Sequence, residues 1–200
     1  MKSRFLKKIK ELDEKNIGVL VRELLPSSKV IYLVYIPQMV DKKSISENII
    51  KPILEYSGKE KLSIEKIAGS VVFVDEIKFD SDEEKIEGYL LEGKTIIVSS
   101  DEDDYIAANT LMVEKRNVES PQVETGIKAP RDAFTENIET NLSLIRYRLK
   151  DPALRIERMS IGRRTKTSIA IVYIQDIANP DYLNRIKEQL KKIEVDGILE

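Results

Sequence analysis

The sequence predicts an α/β protein of two subdomains, each a small mixed sheet flanked by helices. Three observations lead there. Short apolar, β-branched runs at 30–36 and 168–174 are each followed by a polar cap and apolar residues at helical spacing. Residues 117–130 carry Pro121, Gly126 and Pro130 with few apolar side chains, the composition of a linker. A 200-residue chain with 42% hydrophobic residues is also long enough for one or two cores. The expected division is an N-terminal subdomain over 1–118 and a C-terminal one over 119–200.

Taken in order, Phe5, Leu6, Ile9 and Leu12 recur at helical spacing among lysines and predict an amphipathic helix over 3–15. Such a stripe suits either a membrane surface or the chain's own core. The apolar run 30–36 reads as a buried strand. Residues 41–44 offer helix starts, and Ser44-Ile-Ser-Glu47 has the form of a capping box. Ile45, Ile49 and Ile53 make that helix's buried stripe, Pro52 should kink it, and Gly58 should end it. Residues 71–79 predict a strand. Ser81-Asp-Glu-Glu84, a second capping box, opens a helix to about Glu92, Gly93 stands where a terminating glycine belongs, and 94–99 is the next strand. Strand, helix and strand with short connections predict local parallel pairing. After a turn at 101–104, residues 105–108 and 110–116 read as a hairpin.

Beyond the linker, Thr135 is expected to cap a helix carrying Ile138, Leu142, Ile145 and Leu149, stopped by Asp151-Pro152. Strands at 154–161 and 168–174 flank a basic connection containing Gly162. Asn179-Pro180 then starts the last helix, with Leu183, Ile186, Leu190 and Ile193 on one side. Val34-Tyr35-Ile36 recurs as Val172-Tyr173-Ile174, and each copy is followed five residues later by a cap. The echo fits two halves built on one strand-turn-helix unit.

Composition narrows the function classes. The chain has no cysteine and no histidine, which removes disulfides, thiolate nucleophiles, imidazole bases and every Cys- or His-ligated metal site. Its eight glycines form neither a dinucleotide-binding fingerprint nor a P-loop. The acidic clusters at 80–84 and 101–104 lack the alternating ligands and central glycine of a calcium loop. The expectation is a non-enzymatic protein with no cofactor and no metal. The longest apolar run, at 30–36, is far short of the roughly 20 residues of a membrane helix, and no signal peptide opens the chain. A soluble chain is expected.

Net charge is −2, which argues against a nucleic-acid partner. The distribution is uneven. Residues 75–104 hold twelve acids against three bases, and 141–168 hold eight bases against two acids. The two stretches suit solvated faces, mutual attraction within the fold, or a basic surface for an anionic partner. Arginine dominates the second stretch, and its planar fork suits bidentate binding of carboxylate or phosphate. The helix opening at Thr135 also offers N–H groups to an anion.

The second half carries a family signature. Glu119-Ser-Pro121, Lys128-Ala-Pro-Arg-Asp-Ala-Phe-Thr-Glu136, Thr140-Asn-Leu-Ser-Leu-Ile-Arg146, Ile161-Gly162 with Thr167, and Ile171-Val-Tyr-Ile174 follow one another in order. This series resembles the GerA-type A subunit of bacterial spore germinant receptors. The resemblance is dense over 119–178 and looser from residue 16 on, and it departs from the family's more usual glycines at Ala129 and Ala133. It implies an α/β domain of two subdomains on the cytoplasmic side of the spore inner membrane, ahead of a multi-span region. It also implies B and C type subunits as partners, a small nutrient molecule as ligand, and a role in nutrient sensing or signal transduction. A stage V sporulation protein shares the domain. An assembly scaffold without a small-molecule site is the other reading. The family-matching positions Pro130, Arg131, Phe134, Thr135, Glu136, Asn141, Arg146 and Gly162 are the candidate ligand- or partner-binding residues.

Overall fold

The computed structural model describes residues 4–14, 17–26, 29–58, 62–112 and 134–198. Helix α1 (Arg4–Glu14) buries Phe5, Ile9 and Leu12 and so docks on the chain's own core. Phe5 meets Tyr105 edge-on with ring centroids 5.2 Å apart. Strand β1 (Leu20–Leu24) was not foreseen, because it is an edge strand with four of its five residues exposed and no apolar alternation. Strand β2 (Ile31–Tyr35) is the buried strand expected there.

The next helix runs through α2 (Lys42–Ser44), a π-helical turn (Ile45–Ile50) and α3 (Lys51–Leu54). Asp41 caps it, its carboxylate accepting from the N–H groups of Lys43 and Ser44 at 2.9 and 3.0 Å. Ser44 therefore sits inside the helix and not at its start. Pro52 has no N–H for the carbonyl of Asn48, and the Phe73 N–H fills that place at 3.0 Å.

A strand over 71–79 does not form as expected. Ile64, Ile67 and Val71 are buried at spacings of three and four, and they belong to α4 (Ile64–Lys66) and a following π turn (Ile67–Val71). Ser63 caps α4 through Lys66 N–H at 3.0 Å. Only Ile77–Asp80 is strand β3. Helix α5 (Lys85–Leu91) ends at Gly93, whose φ of +82° favours glycine. Strands β4 (Lys94–Ser99) and β5 (Tyr105–Asn109) complete a five-stranded sheet of order β1-β2-β4-β5-β3.

Every pairing in that sheet is antiparallel. The predicted parallel contact between β3 and β4 is therefore absent. The strand-helix-strand unit exists, but β5 fills the slot between its two strands and pairs antiparallel with both. For the same reason β5 has no edge left for the expected hairpin with 110–116. Leu111 makes a single bridge to Val40, and 113–116 lie outside the described residues.

The second half holds α6 (Ile138–Arg148), the antiparallel pair β6 (Leu154–Ile161) and β7 (Thr167–Ile174), and α7 (Pro180–Lys191). Asn179 caps α7 at Asp181 N–H with Pro180 in the first turn, as read from the sequence. The α/β class with two helix-flanked sheets is what the chain adopts. The linker expected near 117–130 falls in 113–133, outside the described residues. Among the described residues no helix is long and apolar enough to cross a membrane.

One carboxylate ties β3 to α5. Asp80 accepts from the backbone N–H groups of Ser81 and Asp82 at 2.8 and 3.0 Å, from Lys85 Nζ at 3.1 Å and from the Tyr89 hydroxyl at 3.0 Å. These bonds, led by the one from Asp82, lower its pKa from 3.8 to about 2. Because the folded value is depressed, the contribution is complete above 3.8 and is lost as pH falls toward 2. Asp80→Asn should lower stability at pH 7 and flatten the acid limb between pH 4 and pH 2. Urea denaturation at the three pH values checks this, and an acid limb as steep as the wild type's would count against it.

Candidate functional site

Asn137, Thr140 and Ser143 recur every third residue, which sets them along one side of α6. They form one wall of a cavity of about 320 Å³, and Pro37, Gln38, Asp41 and Lys42, from the end of β2 and the start of α2, form another. Both halves of the chain thus contribute to it. Most of the polar groups in these walls are already engaged. Asn137 caps α6 by accepting from Glu139 and Thr140 N–H at 2.8 and 3.3 Å, and Asp41 caps α2. Ser143 donates to the Glu139 carbonyl at 2.9 Å. The Glu139 carboxylate is gripped by both terminal nitrogens of Arg158, one of them at 2.7 Å, and this bidentate bond holds its pKa below the usual value. Gln38 Oε1 is buried and accepts no hydrogen bond. The cavity's volume lies at the lower end of the range for small-molecule sites.

One helical turn past Ser143, Arg146 is 1% exposed. Its Nε and Nη1 have no hydrogen-bond partner. A second buried arginine, Arg155, acts on its charge, and the Nη1 of Arg155 is itself bound to the carbonyls of Pro152 and Leu154 at 2.6 and 3.2 Å. Burial, and then Arg155, lower the Arg146 pKa to about 10, so the guanidinium is still charged at neutral pH. The side chain reaches the first half, where Gly18 turns with φ +82° and a Cβ would stand 3.4 Å from Nη2. A buried charge without a counter-charge costs several kcal/mol.

The other predicted residues take varied places. Thr135 and Asn141 are joined, Thr135 N–H donating to Asn141 Oδ1 and Asn141 Nδ2 donating to the Thr135 carbonyl, each at 2.7 Å. Thr135 Oγ1 accepts from Asn137 N–H at 3.1 Å. The helix cap is therefore Asn137, two residues later than expected, because Thr135 is used to fasten the approach to the helix. Phe134 and Glu136 are exposed. Gly162 turns from β6 with φ +84°, and the Arg163 and Arg164 N–H groups just after it bind the carbonyls of Val195 and Asp196. Pro130 and Arg131 lie outside the described residues. The structure thus gathers Thr135, Asn141 and Arg146 on α6 or its approach and leaves Gly162 in a separate turn. Sequence reading missed Gln38, Thr140 and Ser143. The period-three polar row on α6 is a legible signal, whereas nothing local marks Gln38.

A family model described as Bacillus/Clostridium GerA spore germination protein matches residues 7–200. The chain belongs to the GerA family. It is 31% identical over 169 residues to spore germination protein KA of Bacillus subtilis, covering 84% of this chain and 31% of that protein. It is 32% identical over 170 residues to spore germination protein B1 of the same organism, covering 84% and 35%. Stage V sporulation protein AF of Bacillus subtilis is 41% identical over 83 residues, 42% of this chain and 17% of that one. The chain spans about a third of the length of the germination proteins it matches. In fold it is similar to the crystal structure of the N-terminal domain of the A subunit of the Bacillus megaterium spore germinant receptor GerK3. The TM-score is 0.65 at 22% identity, over 96% of this chain and 71% of that one.

The cap makes a direct test of how the cavity wall is held. Asn137→Ala removes the acceptor for two N–H groups of α6 and should cost about 1 kcal/mol of stability. Chemical denaturation measures it, and a loss below about 0.3 kcal/mol would assign the start of α6 to the Thr135–Asn141 pair alone.

Proposed function

We propose that this chain is the N-terminal domain of a germinant receptor A subunit and takes part in nutrient sensing or signal transduction during spore germination. The observation that carries the reading is the cavity whose walls come from both halves of the chain. In this reading 1–118 and 119–200 act as two subdomains. A small nutrient molecule between them biases their relative placement, by no more than its difference in affinity for the two arrangements. The domain works on the cytoplasmic side of the spore inner membrane, beside B and C type subunits. Of the site residues proposed from the family pattern, Asn141 and Arg146 act through α6, on either side of Ser143 in the sequence. No catalytic step is part of the reading, since the chain has neither histidine nor cysteine.

A second reading, an assembly scaffold without a small-molecule site, draws on the exposed apolar side chains of the second half. Ile177 is 80% exposed and Tyr182 64%. Such residues suit contact with another subunit. The stage V sporulation relative supports a third assignment within the same family.

Calorimetric titration of the chain with nutrient amino acids and sugars separates the first two. Binding of at least one nutrient is expected, weakened tenfold or more by Ser143→Leu, which fills part of the cavity. No heat with any nutrient, while the chain still pulls down other receptor subunits, would replace sensing with scaffolding.

A further inference from the structure

Among the described residues, Arg146 is a buried cation with donors left unpaired. Its side chain is 1% exposed, yet three of the five guanidinium N–H donors, one on Nε and two on Nη1, meet no acceptor. Buried polar groups are nearly always satisfied, and buried charges are nearly always paired. Here the neighbouring charged group is another cation, Arg155, 8% exposed and held in place by two backbone carbonyls. Among the described residues no carboxylate is paired with either arginine. Arg146 also stands where the halves meet, carried on α6 and set against the backbone of Gly18 between α1 and β1. Two buried guanidinium groups, free donors on Arg146 and no paired carboxylate among the described residues describe a site for an oxyanion.

We propose that Arg146 anchors a small oxyanion, a carboxylate or phosphate group, at the junction of the two halves, with Arg155 adding positive charge beside it. The anion supplies the acceptors that Nε and Nη1 lack and cancels the charge that burial leaves exposed to its own repulsion. A group bound there touches the element that carries the second half and the turn that joins α1 to β1. It therefore favours the arrangement in which Arg146 lies against Gly18. The proposal stands whether or not the cavity beside Ser143 holds a nutrient, and the two are read on different variants, so either can fail alone.

Thermal unfolding of the 200-residue chain is followed in Tris at constant ionic strength, with sodium chloride replaced stepwise by sodium acetate or sodium phosphate. The expected result is a saturable rise in midpoint, roughly 5–10 °C at a hundredfold excess over the dissociation constant. Arg146→Met should fold, match or exceed the wild-type midpoint in chloride, and show no rise with either anion. A rise with acetate alone identifies a carboxylate group, and one with phosphate alone a phosphate. In parallel, the Arg146 Nε–Hε resonance of the wild type should shift along the same titration curve. A wild-type midpoint that neither anion moves, or an equal rise in Arg146→Met, overturns the proposal. If Arg146→Met does not fold, the resonance decides: no shift with either anion overturns it.

Discussion

The first half of the chain depends on burying β4 on both of its faces. All six residues from Lys94 to Ser99 are buried, with β2 on one side and β5 on the other. A central strand in this position leaves no backbone group for water, so each must be paired within the sheet. The polar side chains at its ends are paired as well. Thr95 shares a 2.7 Å hydrogen bond with Thr110, Lys94 meets Glu92 at 2.9 Å, and Ser99 donates to Asp101. Both faces need cover, and α4 and α5 pack on β4 while α1 sets Phe5 against Tyr105 of β5. The Tyr105 ring is wholly buried, yet its hydroxyl reaches the Asp82 carbonyl at 2.9 Å, so the loop before α5 is fastened to the same core. The acidic stretch around it is held from the same half, Lys8 pairing with Glu84 at 2.8 Å and Lys29 bridging Asp101 and Glu102. Glu102 also accepts from Ile64 N–H at 2.9 Å and so fixes the start of α4.

The second half is built differently. A two-stranded sheet cannot bury both faces, and no residue of β7 or α7 is fully buried. Its order comes instead from polar links. Glu157 on β6 accepts from Lys187 of α7 and from the Tyr173 hydroxyl of β7, which ties three elements through one carboxylate. Arg158 of β6 grips Glu139 of α6, and the same grip shapes the wall of the cavity. The well-packed first half and the lightly packed second half both contribute residues to the cavity.

Much of this was legible in local pattern. The helical stripe of Phe5, Ile9 and Leu12, the cap at Asn179, the glycine stop at Gly93 and the two strands flanking Gly162 all rest on interactions within a few residues. The errors fall where a distant residue intervened. The run from 71 to 79 looked extended, yet Val71 ends the helical turns that Ser63 and Glu102 start, 72–76 are irregular, and only from Ile77 does the chain join the sheet. Thr135 looked like a cap and lost that role to Asn137, because Asn141 engages it first. The parallel pairing failed because β5, which follows β4 in sequence, inserts between β3 and β4 in space.

The candidate site divides along the same line. Arg146 and Asn141 were named from the family pattern, and the polar row Asn137, Thr140, Ser143 can be read from spacing along one helix. Gln38 could not be found this way, since it joins that row only where the turn after β2 faces α6 across the cavity. The sequence by itself determined the α/β class, the chemistry that the absence of histidine and cysteine excludes, and membership of the GerA family. Tertiary structure decided strand order, which group caps which helix, and that Arg146 is buried with no carboxylate paired to it among the described residues. The reason is physical: periodicity and capping report contacts within a turn or two of the chain, whereas pairing and burial depend on residues brought together from tens of positions away.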